Sequence, residues 1–148
     1  PYSEAGNFGS FLGNRFVPGA IVLAGSDQED GLLTSHEIMR MSLDAKLVVL
    51  SACNTGFGEL RGSSATGLPL AILGTGVPSL VVSLWSVPDD STSDLMTLFY
   101  DDLLTQHTQS NTYDVPRALR AAMLSLKSEE AYSDPLHWGA FIAIGAAR

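Results

Sequence analysis

The chain has 148 residues, 45% of them hydrophobic and 16% charged, with a formal net charge of −8. That length and apolar content fit one globular domain and exclude a disordered chain. The acidic balance excludes non-specific nucleic-acid binding, which needs clustered Lys and Arg, and it suits a basic peptide partner.

A single cysteine excludes an internal disulfide framework and fits a reducing, cytoplasmic compartment. No membrane association is expected, because no apolar run reaches spanning length. Leu68 to Leu84 comes closest, and Pro69 and Pro78 interrupt it.

Residues 1–18 carry Gly6, Gly9, Gly13 and Pro18 among Phe8, Phe11 and Phe16. They read as a loop continuing from an upstream segment, with residues 19–148 as the C-terminal portion of a single domain. Ala20 to Ala24 is a short predicted strand, and Asp30-Gly31 a turn. Thr34 and Glu37 form a capping box, opening a helix with Ile38 and Met41 on its buried side. Lys46 to Cys53 is the next strand, followed by a loop with Gly56, Gly58 and Gly62.

Ala65 to Gly74 is a second helix, burying Leu68, Ile72 and Leu73, and Ser79 to Trp85 a third strand. Ser91 with Asp94 is expected to cap a third helix carrying Leu95, Leu98, Phe99 and Leu103 at helical spacing. Residues 105–114 read as a polar loop. Asp114 and Pro116 open a fourth helix with Ala118, Leu119, Ala122, Met123 and Leu126. Ser133-Asp134-Pro135 is a turn, and Trp138 to Ile144 a last strand. This alternation predicts an α/β fold, a mostly parallel sheet covered on both faces.

Cys53 stands at the carboxyl end of a predicted central strand, where open α/β sheets put their chemistry. Backbone N–H groups of the following turn can face a developing oxyanion there. The plainer reading is a buried, inert thiol. A nucleophilic thiol needs a base, because only the thiolate attacks. None of the three histidines is a convincing one. His107 reads as solvated surface at a helix end, and His137 as a satisfied, partly buried side chain. His36 lies on the same sheet edge as Cys53, but in the first turn of a helix, where the dipole disfavours an imidazolium. No residues have metal-ligand spacing. Gly56, Gly58 and Gly62 only weakly echo a dinucleotide loop. No metal and no cofactor are therefore expected.

Leu47-Val48-Val49-Leu50-Ser51-Ala52-Cys53-Asn54-Thr55-Gly56-Phe57-Gly58 resembles the LVVLSACxTGxG signature of the CHAT domain, a caspase-like domain often found behind tetratricopeptide repeats. Ser83-Leu84-Trp85-Ser86-Val87-Pro88-Asp89 is similar to that family's SLWxVxD, and Leu95 to Tyr100 to its LMxxFY. Pro135 to Gly145 is similar to its closing segment around a tryptophan, here Trp138.

The resemblance implies a three-layer α/β/α caspase-like sandwich, present here as its C-terminal part. It also implies a Cys–His dyad endopeptidase acting on a protein or peptide substrate. Cys53 falls on the nucleophile. The family's histidine lies in an ATHG-like segment, which is expected upstream of residue 1, so the isolated chain is expected to be inactive. Tetratricopeptide repeats are expected in the same parent polypeptide. Asn54 stands where the family often has Glu. Asp89 matches the acid of separase's LWxVxD, which faces a substrate arginine; such an acid would select cleavage after a basic residue. The competing reading of Asp89 is an ordinary turn and helix cap. The competing reading of the whole is a catalytically inactive CHAT module serving as a protein-binding scaffold.

Overall fold

The computed structural model describes residues 20–26, 28, 30–51 and 67–146. Residues 1–18, Cys53 and the glycine loop after it lie outside the described residues.

Strands β1 (Ala20–Val22) and β2 (Leu32–Thr34) form an antiparallel hairpin with Ile21 opposite Leu33. Its turn uses the Asp30-Gly31 pair as expected. An Asp30 carboxylate oxygen accepts the Leu32 N–H at 2.9 Å. Gly31 has φ +75°, and a Cβ there would stand 2.7 Å from the Leu23 carbonyl oxygen, so only glycine fits. β2 was not expected as a strand, because its three residues run directly into the helix cap.

Helix α1 (Ser35–Ile38) carries the predicted capping box. The Thr34 N–H donates to the Glu37 carboxylate at 2.8 Å, and the Glu37 N–H donates to the Thr34 hydroxyl at 3.3 Å. The helix is only one turn long. Ile38 is buried as expected, but Met41 lies past the helix end and is exposed. The Thr34 backbone N–H, and then its hydroxyl, hold the Glu37 carboxyl below the ordinary glutamate value. A depressed carboxylate stabilises the fold fully above its unfolded value, and that contribution is lost as pH falls through the lowered folded value. An NMR titration of Glu37 should therefore give a midpoint below that of the unfolded chain. Equal midpoints would contradict the cap.

Strands β3 (Val48–Leu50), β4 (Ser79–Ser83) and β5 (Phe141–Gly145) form the main sheet in that order. β3 and β4 are parallel, with Leu50 beside Val82. β4 and β5 are antiparallel, with Ser83 beside Phe141. The sheet is thus mixed among the described residues rather than mostly parallel. The reason is the connection. Two helices separate β4 from β5, α3 (Asp89–Ser110) and α4 (Val115–Lys127). One crossover helix carries the chain to the opposite rim and gives a parallel strand. A helical hairpin returns it to the rim it left.

Alternation along the strands sends side chains to two cores. On one face Leu80 and Val82 pack with Ile38, Leu68, Ala71 and Ile72 of α1 and of α2 (Gly67–Gly74). On the other, Val81 and Phe141 pack with Leu95, Phe99 and Leu103 of α3 and Ala118, Leu119, Ala122 and Leu126 of α4. The result is the expected α/β/α arrangement.

α3 begins at Asp89, without a side-chain cap, so Ser91 and Asp94 are inside the helix rather than at its start. It also runs through most of the stretch predicted as a polar loop, ending at Asn111 with φ +53°. Polarity misleads here because the buried Gln106 side chain is satisfied locally. Its oxygen accepts the Asp114 N–H at 2.7 Å and its amide donates to Asp102 at 2.6 Å. Asp114 caps α4 through the Arg117 N–H at 3.0 Å, as expected.

Candidate functional site

The parallel pairing of β3 and β4 puts their carboxyl ends on one rim. Cys53 follows Leu50 by three positions and Asp89 follows Ser83 by six. α2 and α3, which follow these strands, begin on the same side. Gly67, the first residue of α2, lies against Ser35, the first of α1; a Cβ on Gly67 would stand 3.2 Å from the Ser35 hydroxyl. His36 is therefore near this rim, as its position after Thr34 implied, and it is exposed.

Asp89 is the first residue of α3 and is exposed, with Asp90 beside it in the first turn. Ionised carboxylates are favoured at a helix amino end. The N-cap is Pro88, so Asp89 is not a cap, and the cap reading of this residue loses its structural basis.

Because β5 runs antiparallel to β4, the segment leading into β5 also arrives at this rim. It includes a 3-10 turn, Pro135–His137. His137 is half-buried, and its Nδ1 lies 3.1 Å from the Ser91 Oγ of α3. The Trp85 indole N–H donates to the Leu136 carbonyl at 3.4 Å. Close by, the Tyr132 hydroxyl donates to the Asp94 carboxylate at 2.7 Å, and this bond is the main reason its phenol titrates above the ordinary tyrosine value. The Tyr132 ring stands 5.3 Å from that of His137.

His137 was expected to be partly buried and satisfied, and it is; its place on the rim where β3 and β4 end was missed. The signal was present in the two predicted helices before the last strand. His107 lies at the other end of α3, stacked on Tyr113 at 4.7 Å. With Lys46, Ser79 and Tyr113 it lines a cavity of about 580 Å³, on the rim opposite the carboxyl ends of β3 and β4. Among the described residues no helix is long and apolar enough to cross a membrane.

An α/β/α sandwich with two adjacent parallel strands ending beside an acidic helix start defines an α/β domain. A family model described as the CHAT domain matches residues 9–146, a span that includes Cys53 and Asp89. The chain belongs to the CHAT family, as its signature segments indicated. Tetratricopeptide repeat protein 28 of Mus musculus and the protein of the same name from Homo sapiens are each 31% identical to it over 115 residues, 78% of this chain. The chain spans about 4% of the length of those relatives.

Proposed function

We propose that the domain is the cysteine endopeptidase module of its full-length protein. The observation that supports this most is the signature segment around Cys53, which continues from β3, the strand paired in parallel with the middle strand β4, in a CHAT-family domain. In this reading the Cys53 thiolate adds to a substrate carbonyl, and the Cys53 N–H stabilises the resulting oxyanion. The amine leaves with a proton from the histidine that activated the thiol. Water then hydrolyses the thioester and restores the thiol. The base is a histidine in the family's ATHG-like segment, which none of His36, His107 and His137 matches. The similarity to tetratricopeptide repeat protein 28 supports tetratricopeptide repeats in the same polypeptide. The lone cysteine supports a reducing, cytoplasmic setting.

Asp89 selects a basic side chain before the cleaved bond. Its exposure at the start of α3 supports this, as does the neighbouring charge of Asp90. If bound substrate covers the exposed Asp89 and excludes water from the pair, removing one partner of the Arg–carboxylate contact costs roughly 2–5 kcal/mol. Asp89→Ala in the full-length protein should therefore lower kcat/KM for arginine substrates by about 30-fold or more. The melting temperature should fall by no more than a few degrees, because Asp89 makes no cap bond and its charge at the helix start is worth only about 0.3–1 kcal/mol. Unchanged arginine preference would retire the specificity role. Absence of any cleavage by the wild-type full-length protein would favour the scaffold reading instead.

A further inference from the structure

Ser91 is fully buried in the first turns of α3, and its Oγ donates to the Pro88 carbonyl at 3.0 Å. A serine hydroxyl has one proton. With that proton on the Pro88 oxygen, the 3.1 Å contact to His137 is a hydrogen bond only if His137 donates from Nδ1. This is the one assignment that satisfies both distances. The chain of bonds runs from the His137 ring through Ser91 to the carbonyl immediately before Asp89. A second tie joins the same two segments, from the Trp85 indole to the Leu136 carbonyl. Gly139 lets the turn before β5 close tightly, because a Cβ there would stand 2.9 Å from the Pro135 carbonyl oxygen.

We propose that His137 is a positioning residue for the acid-bearing turn: its Nδ1–H, through Ser91 and the Pro88 carbonyl, fixes where the Asp89 carboxylate stands and so sets the preference for an arginine side chain. The inference rests on the specificity role given above to Asp89. The β4–α3 turn, residues 84–88, is also held by the Leu84 N–H on the Ala140 carbonyl at 2.8 Å and by the Trp85 tie, and the Pro88 carbonyl takes the Thr92 N–H at 3.0 Å; the Ser91 bond adds the link from that carbonyl to the segment before β5. A bond to its last carbonyl restricts the residue that follows. Orienting a carboxylate in advance lowers the ordering cost of binding.

The test is binding of arginine amide and of its neutral analogue norleucine amide to the full-length protein by calorimetry, which needs no turnover. Wild type should prefer arginine amide, and Asp89→Ala should abolish that preference. His137→Leu should reduce it by about tenfold, the size of one lost hydrogen bond. His137→Asn should restore most of it, because the Asn amide can donate from near the Nδ1 position. Ser91→Ala breaks the same link from the other side and should match His137→Leu. Nitrogen chemical shifts of His137 should show the Nδ1–H tautomer.

If Asp89→Ala loses the preference while His137→Leu and Ser91→Ala keep it, the positioning role is wrong and the specificity role stands. A wild type without the preference, or an Asp89→Ala that retains it, overturns the specificity role and the positioning role together. Failure of Asn to rescue, or an Nε2–H tautomer, overturns the positioning role alone. Should His137→Leu not fold, Ser91→Ala decides, and full preference in that variant overturns it.

Discussion

Cys53→Ala in the full-length protein should lower peptide cleavage by a factor on the order of 10⁴ or more, to the level of the uncatalysed background. The size follows from the role. A nucleophile splits one difficult step into two easier ones, and removing it removes that route. The chain has no other cysteine to substitute for it. The loss should fall on kcat with little change in binding, since the proposed reading has arginine held by Asp89 rather than by the thiol. Cys53→Ser separates chemistry from shape: it keeps a hydroxyl of similar size but one that is far harder to ionise, and it should be nearly as inactive. Undiminished cleavage by Cys53→Ala, in a preparation free of other proteases, would sink the assignment.

Phe99→Ala should be the most damaging single change to the fold. Phe99 is fully buried on α3, in the core shared by Val81, Leu95, Leu119 and Phe141. Its ring also meets Tyr100 at 5.2 Å. Truncating a buried Phe costs about 3–5 kcal/mol, from lost transfer energy and the cavity left behind. Domains are stable by only about 5–15 kcal/mol, so this is a large share of the total. The melting temperature should fall by about 10 °C or more. Leu104→Ala on the same helix is the control. Leu104 is 62% exposed, so its truncation should cost about 0.5 kcal/mol or less. Equal effects from the two variants would contradict the burial of this helix face.

Most of the architecture was legible because burial leaves periodic marks. β4 alternates between the two cores through Leu80, Val81 and Val82, and α4 repeats its buried residues at spacings of three and four. Caps were legible where a side chain makes the bond, at Thr34 and Asp114. They failed at α3, whose N-cap is a proline with no side-chain bond to give. The C-terminal turns of that helix were hidden for a related reason. Thr108 and Ser110 look like loop residues, but their hydroxyls donate to the Leu104 and Gln106 carbonyls of the helix itself.

The direction of β5 was the most consequential feature the sequence left open. It depended on counting helices between strands rather than on any residue. Pairing direction decides which loops share a rim, and without it the sequence does not bring His137, Trp85 and Ser91 together. Asp89 and the signature around Cys53 were legible as segments, because they are contiguous in sequence. The bonds that tie the Asp89 turn to the segment before β5 span about fifty positions and have no local signal.

The most direct test of Cys53 as the nucleophile is covalent trapping. The full-length protein is treated with a peptidyl-arginine chloromethyl ketone and with its norleucine analogue, and the adduct is mapped by mass spectrometry. A single adduct on Cys53, forming much faster with the arginine reagent and slowed by Asp89→Ala, is the predicted result. Equal labelling by both reagents would retire the specificity role of Asp89 alone, and an unmodified Cys53 in folded protein would contradict the nucleophile itself.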